Sequence, residues 1–262
     1  MNERIVLITG AGSGIGRALA LEADRRDHRV VLVGRRAAAL EETAAQLTRQ
    51  DVVKVPADII TAEGRLAAVA AVKEIGGLDV LVNNAGLVLS GPLAGSRDDD
   101  IERLLMTNVA APIALSRELL PMLVARRGQV VNMGSMFGDI AFPYFTAYSA
   151  SKFALRGFSD ALRREVKRHG VDVTYLAPRA TRTAAADDFA ALVEPMGMVL
   201  DAPEAVAAHA WRAIESRKST QYPASRERLF VALQRLRPRL IDNALSKMAA
   251  DPRVARAAGS RD

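Results

Sequence analysis

The feature that most constrains this chain is a strand-like run, Ile5 to Ile8, that opens into Thr9-Gly10-Ala11-Gly12-Ser13-Gly14-Ile15-Gly16 and passes directly into a helical pattern. Glycines at such a junction let the backbone approach a bound pyrophosphate. The helix behind them offers free N–H groups and the positive end of its dipole. The G-x-G-x-x-G spacing fails here, because its last position falls on Ile15, Arg17 or Leu19 for successive starting glycines. The spacing that fits is Thr-G-x-x-x-G-x-G, through Thr9, Gly10, Gly14 and Gly16.

The remaining pattern repeats the same unit. Strands are expected at Ile5 to Ile8, Arg29 to Gly34, Val52 to Val55, Leu78 to Val82, Gln129 to Met133 and Val171 to Leu176. Helices are expected near Gly14 to Arg26, Ala37 to Arg49, Ala62 to Ile75, Asp98 to Arg127 and Tyr148 to Arg168, with Pro112 breaking or kinking the fourth. Right-handed crossovers then give an α/β fold of the Rossmann type, a doubly wound, mainly parallel sheet with helices on both faces. Ligands of such a sheet sit at the carboxyl ends of its strands. No repeat or linker divides the chain, so 1–262 reads as one domain. After Pro178 the pattern is less regular: a lid over about 184–202, a helix near Glu204 to Glu215 and a basic helical tail over about 226–262.

Composition removes several classes. Cysteine is absent and the three histidines, His28, His169 and His209, have no ligand-like spacing, so no metal site is expected. No apolar run approaches the roughly 20 residues of a spanning helix, and the residues before Ile5 are too few for a leader. A soluble, cytoplasmic protein is expected. A net charge of +6 is compatible with nucleic acid, anionic lipid, a phosphorylated ligand or simply a solvated basic surface. In the tail, Leu229, Phe230, Leu233, Leu236, Leu240 and Ile241 are interleaved with Arg226, Arg228, Arg235, Arg237 and Arg239 and interrupted by Pro238. That stripe fits packing on its own domain or on a neighbouring subunit, or a peripheral membrane contact. No stacking platform or reading helix accompanies the charge, so no nucleic-acid partner is expected.

Tyr148-Ser149-Ala150-Ser151-Lys152 carries the chemistry. On a helix, i and i+4 share a face, which puts the Tyr148 phenol beside the Lys152 ammonium. A cation about 4 Å away at an effective dielectric of 20 attracts the phenolate by roughly 4 kcal/mol, an upper limit of about three pKa units. A tyrosine so tuned exchanges a proton with a carbonyl or alcohol oxygen near neutral pH. Ser135, just past the fifth strand in Asn132-Met133-Gly134-Ser135, is placed to hold that oxygen.

With the glycine turn, these segments resemble the short-chain dehydrogenase/reductase family over about residues 5–216. The resemblance implies a dinucleotide held by Thr9, Gly10, Ser13, Gly14, Ile15 and Gly16, with Asp58 at the adenine. It identifies Asn83-Asn84-Ala85-Gly86 as the family's NNAG segment, which brings Asn84, Ala85 and Gly86 to the cofactor pocket and supports the sheet. Asn108, in Met106-Thr107-Asn108-Val109, corresponds to the asparagine that bends a helix and holds a water in a proton relay to the lysine, completing a tetrad with Ser135, Tyr148 and Lys152. Tyr148 and Lys152 also contact the cofactor, as do Pro178 and Thr183, the latter at the nicotinamide carboxamide.

Where an NAD-binding relative carries an aspartate at the end of the second strand, this chain has Gly34, and an arginine of the NADP-binding type falls at Arg35, with Arg36 to assist. NADP(H) is the expected cofactor. The family's glycine after Pro178 is here Arg179. Two roles are open for it: binding an anionic or strongly polar group on substrate or cofactor, or an ion pair with Asp187, Asp188 or Glu194 that holds the lid closed. Apolar residues from Phe189 to Leu200 point either to a greasy ketone (fatty-acyl, terpenoid or sterol-like) or to packing of the lid on the body. The resemblance further implies a homo-oligomer, dimer or tetramer, through the helices Asp98 to Arg127 and Tyr148 to Arg168. The expected activity is NADP(H)-dependent interconversion of a ketone and a secondary alcohol. Beside it stand a non-catalytic NADP(H)-binding sensor and a membrane-associated protein on the same fold.

Overall fold

The computed structural model describes residues 3–223 and 227–259, so Arg226 and 260–262 of the expected tail lie outside the described residues. Seven strands form one sheet: β1 (Ile5–Thr9), β2 (Arg29–Gly34), β3 (Val53–Pro56), β4 (Val80–Asn83), β5 (Gln129–Met133), β6 (Asp172–Leu176) and β7 (Thr220–Gln221). Their order is β3-β2-β1-β4-β5-β6-β7, and every pairing is parallel. This is the Rossmann-type doubly wound sheet. The crevice it creates lies at the carboxyl edge between β1 and β4, where the strand order reverses.

Helices α1 (Gly14–Asp24), α2 (Ala37–Ala44), α3 (Ala62–Glu74), α4 (Asp98–Leu105), α5 (Ala111–Arg126), α6 (Thr146–Val166), α7 (Ala190–Val193), α8 (Pro203–Glu215), α9 (Glu227–Leu236), α10 (Pro238–Ala249) and α11 (Pro252–Gly259) complete the chain. Strand residues bury both faces, since alternate side chains of a parallel sheet meet helices on each side. Val6, Ile8, Val30 and Leu32 pack against Leu19 of α1 and Trp211 of α8; Leu7, Val31 and Leu81 pack against Val72 of α3 and Leu115 and Leu119 of α5. Trp211 is fully buried and its indole N–H donates to the Leu19 carbonyl at 3.0 Å, which satisfies the one polar atom that such a core residue carries.

Several boundaries differ from the sequence expectation. The second helix stops at Ala44 rather than Arg49, because the buried Asp24 carboxylate accepts from the backbone N–H groups of Thr48 and Arg49 at 2.8 and 3.1 Å and pulls that segment out of helix. The fourth helix is not broken at Pro112. One π turn, Met106–Ala110, absorbs the missing N–H ahead of it, and helix continues as α5. From Asp98 to Arg126 this helix has the length and hydropathy of a spanning segment, but Leu115, Leu119 and Leu123 bury it against the sheet. β7, two residues long, has no periodicity to announce it. The lid is partly helical: a 3-10 turn over Ala184–Phe189 runs into α7.

Candidate active site

A cleft of about 350 Å³ opens along the carboxyl edge of the sheet. Gly10, Ser13, Gly14, Ile15 and Gly16 line one end, with Arg35, Arg36 and Asp58 beside them. Asn84, Ala85 and Gly86 lie along the floor. Ser135, Tyr148, Lys152, Pro178, Arg179 and Thr183 line the other end. Thr9 and Asn108 do not line the cleft but lie buried beneath it. Thr9 is buried, and its hydroxyl accepts from the backbone N–H groups of Asn84 and Ala85, each at 3.0 Å, so it splices β1 to the segment after β4. Asn108 is buried in the π turn. Its Oδ1 accepts from Leu87 N at 2.8 Å and its Nδ2 donates to Leu87 O at 2.9 Å and to Ser151 Oγ at 3.0 Å.

The turn is built for close approach. A Cβ on Gly16 would stand 2.1 Å from the Gly10 carbonyl oxygen, so the first turn of α1 folds onto the loop only without a side chain there. Arg17, which sequence reading passed over, fastens the loop from outside, donating to Gly12 O at 2.7 Å and to Thr43 Oγ1 at 3.1 Å. Its i+1 position after the last glycine gave no motif signal. Arg35 and Arg36 are exposed at the start of α2, and neither guanidinium meets an acceptor among the described residues. Asp58 turns its carboxylate back to Ile60 N at 3.2 Å.

At the other end, α6 presents Tyr148 and Lys152 on one face, as the i, i+4 spacing requires. Lys152 Nζ lies 5.6 Å from the centre of the Tyr148 ring and donates its hydrogen bond to Met133 O at 3.0 Å. Burial pushes the Tyr148 phenol up to about 12, against a smaller downward pull from its hydrogen bond with Ser135. Burial also brings Lys152 down to about 8. A neighbouring cation alone would lower the phenol's pKa, but burial outweighs it here. Ser135 Oγ, besides facing Tyr148, accepts from Phe137 N at 3.1 Å.

Arg179 does pair with the lid, and a partner the sequence reading did not name is Asp201. Its Nε and Nη2 grip Asp201 at 3.1 and 2.6 Å, a fork on a carboxylate at the lid's far end, where Thr181 and Asp201 also form a parallel bridge. The apolar lid residues divide between the body and the cleft. Leu192 and Met196 are buried against Phe145, Val254 and Ala258, while Phe189 and Met198 also line the cleft. Phe137 and Phe145 stand edge-on to the Tyr148 ring at 5.9 and 6.5 Å and were not foreseen. They follow motif residues by a few positions and carry no periodic signal of their own. Among the described residues no cluster of histidine and carboxylate side chains could hold a metal.

The glycine turn thus lies at the switch point of a doubly wound sheet, and Ser135, Tyr148 and Lys152 line the opposite end of the same cleft. The chain belongs to the short-chain dehydrogenase/reductase family: the family model for short chain dehydrogenase matches residues 4–192. It is 38% identical over 188 residues to the bovine (Bos taurus) dehydrogenase/reductase SDR family member 7B, covering 68% of this chain and 58% of that one. The chain thus spans under two thirds of that relative's length. It is 39% identical over 189 residues to the putative oxidoreductase SadH of Mycobacterium tuberculosis, covering 70% of this chain and 68% of the relative. A solved short-chain dehydrogenase from Streptomyces avermitilis superposes with a TM-score of 0.80 at 28% identity over 95% of this chain and 99% of that one. The 3-ketoacyl-(acyl-carrier-protein) reductase of Brucella melitensis, complexed with NADH, gives 0.74 at 26% identity over 83% and 93%.

Proposed function

We propose that this chain is an NADP(H)-dependent oxidoreductase that interconverts a ketone and a secondary alcohol, with Tyr148 as the group that gives and takes the proton. The observation that carries this reading is the meeting of Ser135, Tyr148 and Lys152 at one end of a cleft whose other end is the glycine turn. The turn fits a pyrophosphate, since α1 starts at Gly14 with no acidic residue in its first turn and Gly16 leaves the backbone uncovered. Hydride transfer to or from the carbonyl carbon is the chemistry that a nicotinamide supplies when bound. Ser135 Oγ orients the substrate oxygen toward Tyr148 Oη. In reduction the Oη proton passes to that oxygen, and in oxidation Oη takes it back. A phenol near 12 holds its proton at neutral pH, ready to act as acid; acting as base needs positive charge close by, and Lys152 is the cation on that wall.

The choice of NADP(H) rests on Arg35 and Arg36, which offer two guanidinium forks at the N-terminus of α2, whose first turn carries no acidic residue to oppose a 2′-phosphate. The Brucella neighbour, complexed with NADH, lends no weight to that preference. Its name as a 3-ketoacyl reductase agrees with ketone chemistry. Val88, Met136, Phe137, Phe145, Phe189 and Met198 around Tyr148 support a hydrophobic ketone of fatty-acyl, terpenoid or sterol-like character. Incubation with NADPH or NADH and a panel of apolar ketones tests the reading: turnover with NADPH at a Kd at least tenfold below that for NADH is expected. A protein that binds NADPH and turns over no carbonyl would be a sensor instead.

Leu105, Met106, Ile113 and Phe153 are exposed on the helices Asp98–Arg126 and Thr146–Val166, which supports a homo-oligomer through that face. A mass near 28.1 kDa by light scattering would contradict it. The tail favours a second, compatible reading. In α9, Val231 faces the body, while Leu229 and Leu236, 68% and 79% exposed, point away from it beside Arg228 and Arg237. That surface suits anionic lipid. Co-flotation with phosphatidylglycerol vesicles that is lost in high salt, and absent with phosphatidylcholine, is the expected result.

A further inference from the structure

Ser135 lies just beyond β5, where the sheet's regular support ends. The N–H groups of Gly134 and Met136 continue the ladder to the carbonyls of Leu176 and Pro178, at 2.7 and 3.1 Å. The Ser135 N–H, out of phase with that ladder, is received by a side chain. Tyr175, fully buried in β6, accepts it on Oη at 3.3 Å and donates the same hydroxyl to Ser135 O at 3.1 Å. One oxygen therefore holds the serine's backbone on both sides.

The ring that carries this oxygen is itself fixed. A Cβ on Gly134 would stand 2.1 Å from Tyr175 Cζ, and one on Gly138 would stand 2.2 Å from Oη, so the phenol reaches Ser135 only because the loop has glycine at both places. The Arg156 guanidinium lies over the ring, 4.7 Å from its centre. Arg156 follows Lys152 by one helical turn on α6 and is held by Asp160 at 3.3 Å and Asp139 at 3.8 Å. Asp139, in the serine loop, also accepts from Tyr222 at 3.0 Å and from Arg235 of α9 at 3.1 Å. The brace behind Ser135 thus draws on β6, α6, the end of β7 and the tail.

We propose that Tyr175 is a positioning residue for Ser135: clamped between two glycines and Arg156, it sets the backbone of the serine and so the direction in which its hydroxyl meets the substrate oxygen. The inference rests on the reading of Ser135 as the group that orients that oxygen. Small displacements of such a group have a large effect on rate, because the reacting atoms must already be aligned. A tyrosine that merely filled the core would affect stability without distinguishing the serine from any other neighbour.

Tyr175→Phe keeps the ring and removes Oη. We expect kcat with an apolar ketone and saturating NADPH to fall about tenfold, with the Kd for NADPH unchanged. The same substitution made on Ser135→Ala should cost less than about twofold, since a hydroxyl that is absent needs no aiming. Arg156→Gln, which leaves the tyrosine in place but removes the cation above it, should give a smaller kcat loss that is likewise silent on Ser135→Ala. An unchanged kcat in Tyr175→Phe, or equal losses on both backgrounds, overturns the proposal. If Ser135→Ala itself leaves kcat intact, the reading of the site fails first and takes this inference with it.

Discussion

The ammonium of Lys152 and the ring of Tyr148 are 5.6 Å apart on one face of α6, yet the ammonium's hydrogen bond goes to the Met133 carbonyl across the cleft wall. The lysine thus anchors α6 to the end of β5 while it supplies charge to the cleft, and the two duties separate by mutation. Tyr148→Phe should leave folding and NADPH binding intact and remove nearly all turnover. Retention of more than about a tenth of the activity, a difference of ~1.4 kcal/mol in the barrier, would show that another group moves the proton.

Lys152 also has a signature in stability. Its folded pKa is near 8 and the ordinary value is 10.5, so between these limits the unfolded chain holds a proton that the folded chain has lost. Stability therefore rises with pH across that window, by an amount on the order of 2–3 kcal/mol for this one group. Lys152→Met should flatten the rise in denaturant midpoint between about pH 8 and 10.5 without cofactor. An unaltered slope would mean that the ammonium is better solvated than its surroundings indicate.

His28 gives the opposite edge of the pH range. It is buried against Trp211, and neither ring nitrogen has a hydrogen-bond partner among the described residues. Burial lowers its pKa below the usual 6.5, so as pH falls below that value the unfolded state takes up a proton that the folded state resists. Thermal stability should drop on acidification, and His28→Phe should remove part of that drop. Parallel curves for both proteins would rule out the histidine as its source.

Arg35→Ala should weaken NADPH by roughly 10- to 150-fold, the equivalent of 1.5–3 kcal/mol for a charge-assisted contact, and leave NADH nearly unchanged. Isothermal titration with each cofactor decides this. Equal losses would place the guanidinium away from the 2′-phosphate.

For Arg179 the fork to Asp201 leads to a different expectation from a substrate contact. Arg179→Gly and Asp201→Ala should have similar effects, loosening the lid and lowering kcat/KM for an acidic and a neutral ketone alike. A loss confined to the acidic ketone, seen for Arg179→Gly alone, would restore the substrate role.

The parts of this molecule legible in the sequence are those where local rules and tertiary context agree. β1, β2 and β5 are β-branched runs that the sheet buries on both faces, so their composition alone marked them. The glycine turn and Tyr148 to Lys152 were legible because their function fixes spacing along the chain. What escaped depends on partners far away. Asp24 ends α2 by capturing Thr48 and Arg49, and β7 exists only because β6 offers it an edge. Tyr175 reads as an ordinary strand aromatic until Gly134 and Gly138 fold beneath it. For Thr9, a motif position records that a residue is needed, not whether it touches the ligand or holds up the residues that do.

The strand order also has a consequence for how the chain comes to exist. β1 completes its pairing with β4, Val6 opposite Val80, across about 74 residues, and no hairpin is available as a local nucleus. At synthesis rates of about 5–20 residues per second, Leu7 and Ile8 wait roughly 4–15 s after leaving the ribosome before that neighbour is made. During that interval an apolar edge that is fully buried in the finished protein lies open to other nascent chains. Overexpression yield should therefore respond to slower initiation, lower temperature and chaperone supply more than to any substitution in the cleft.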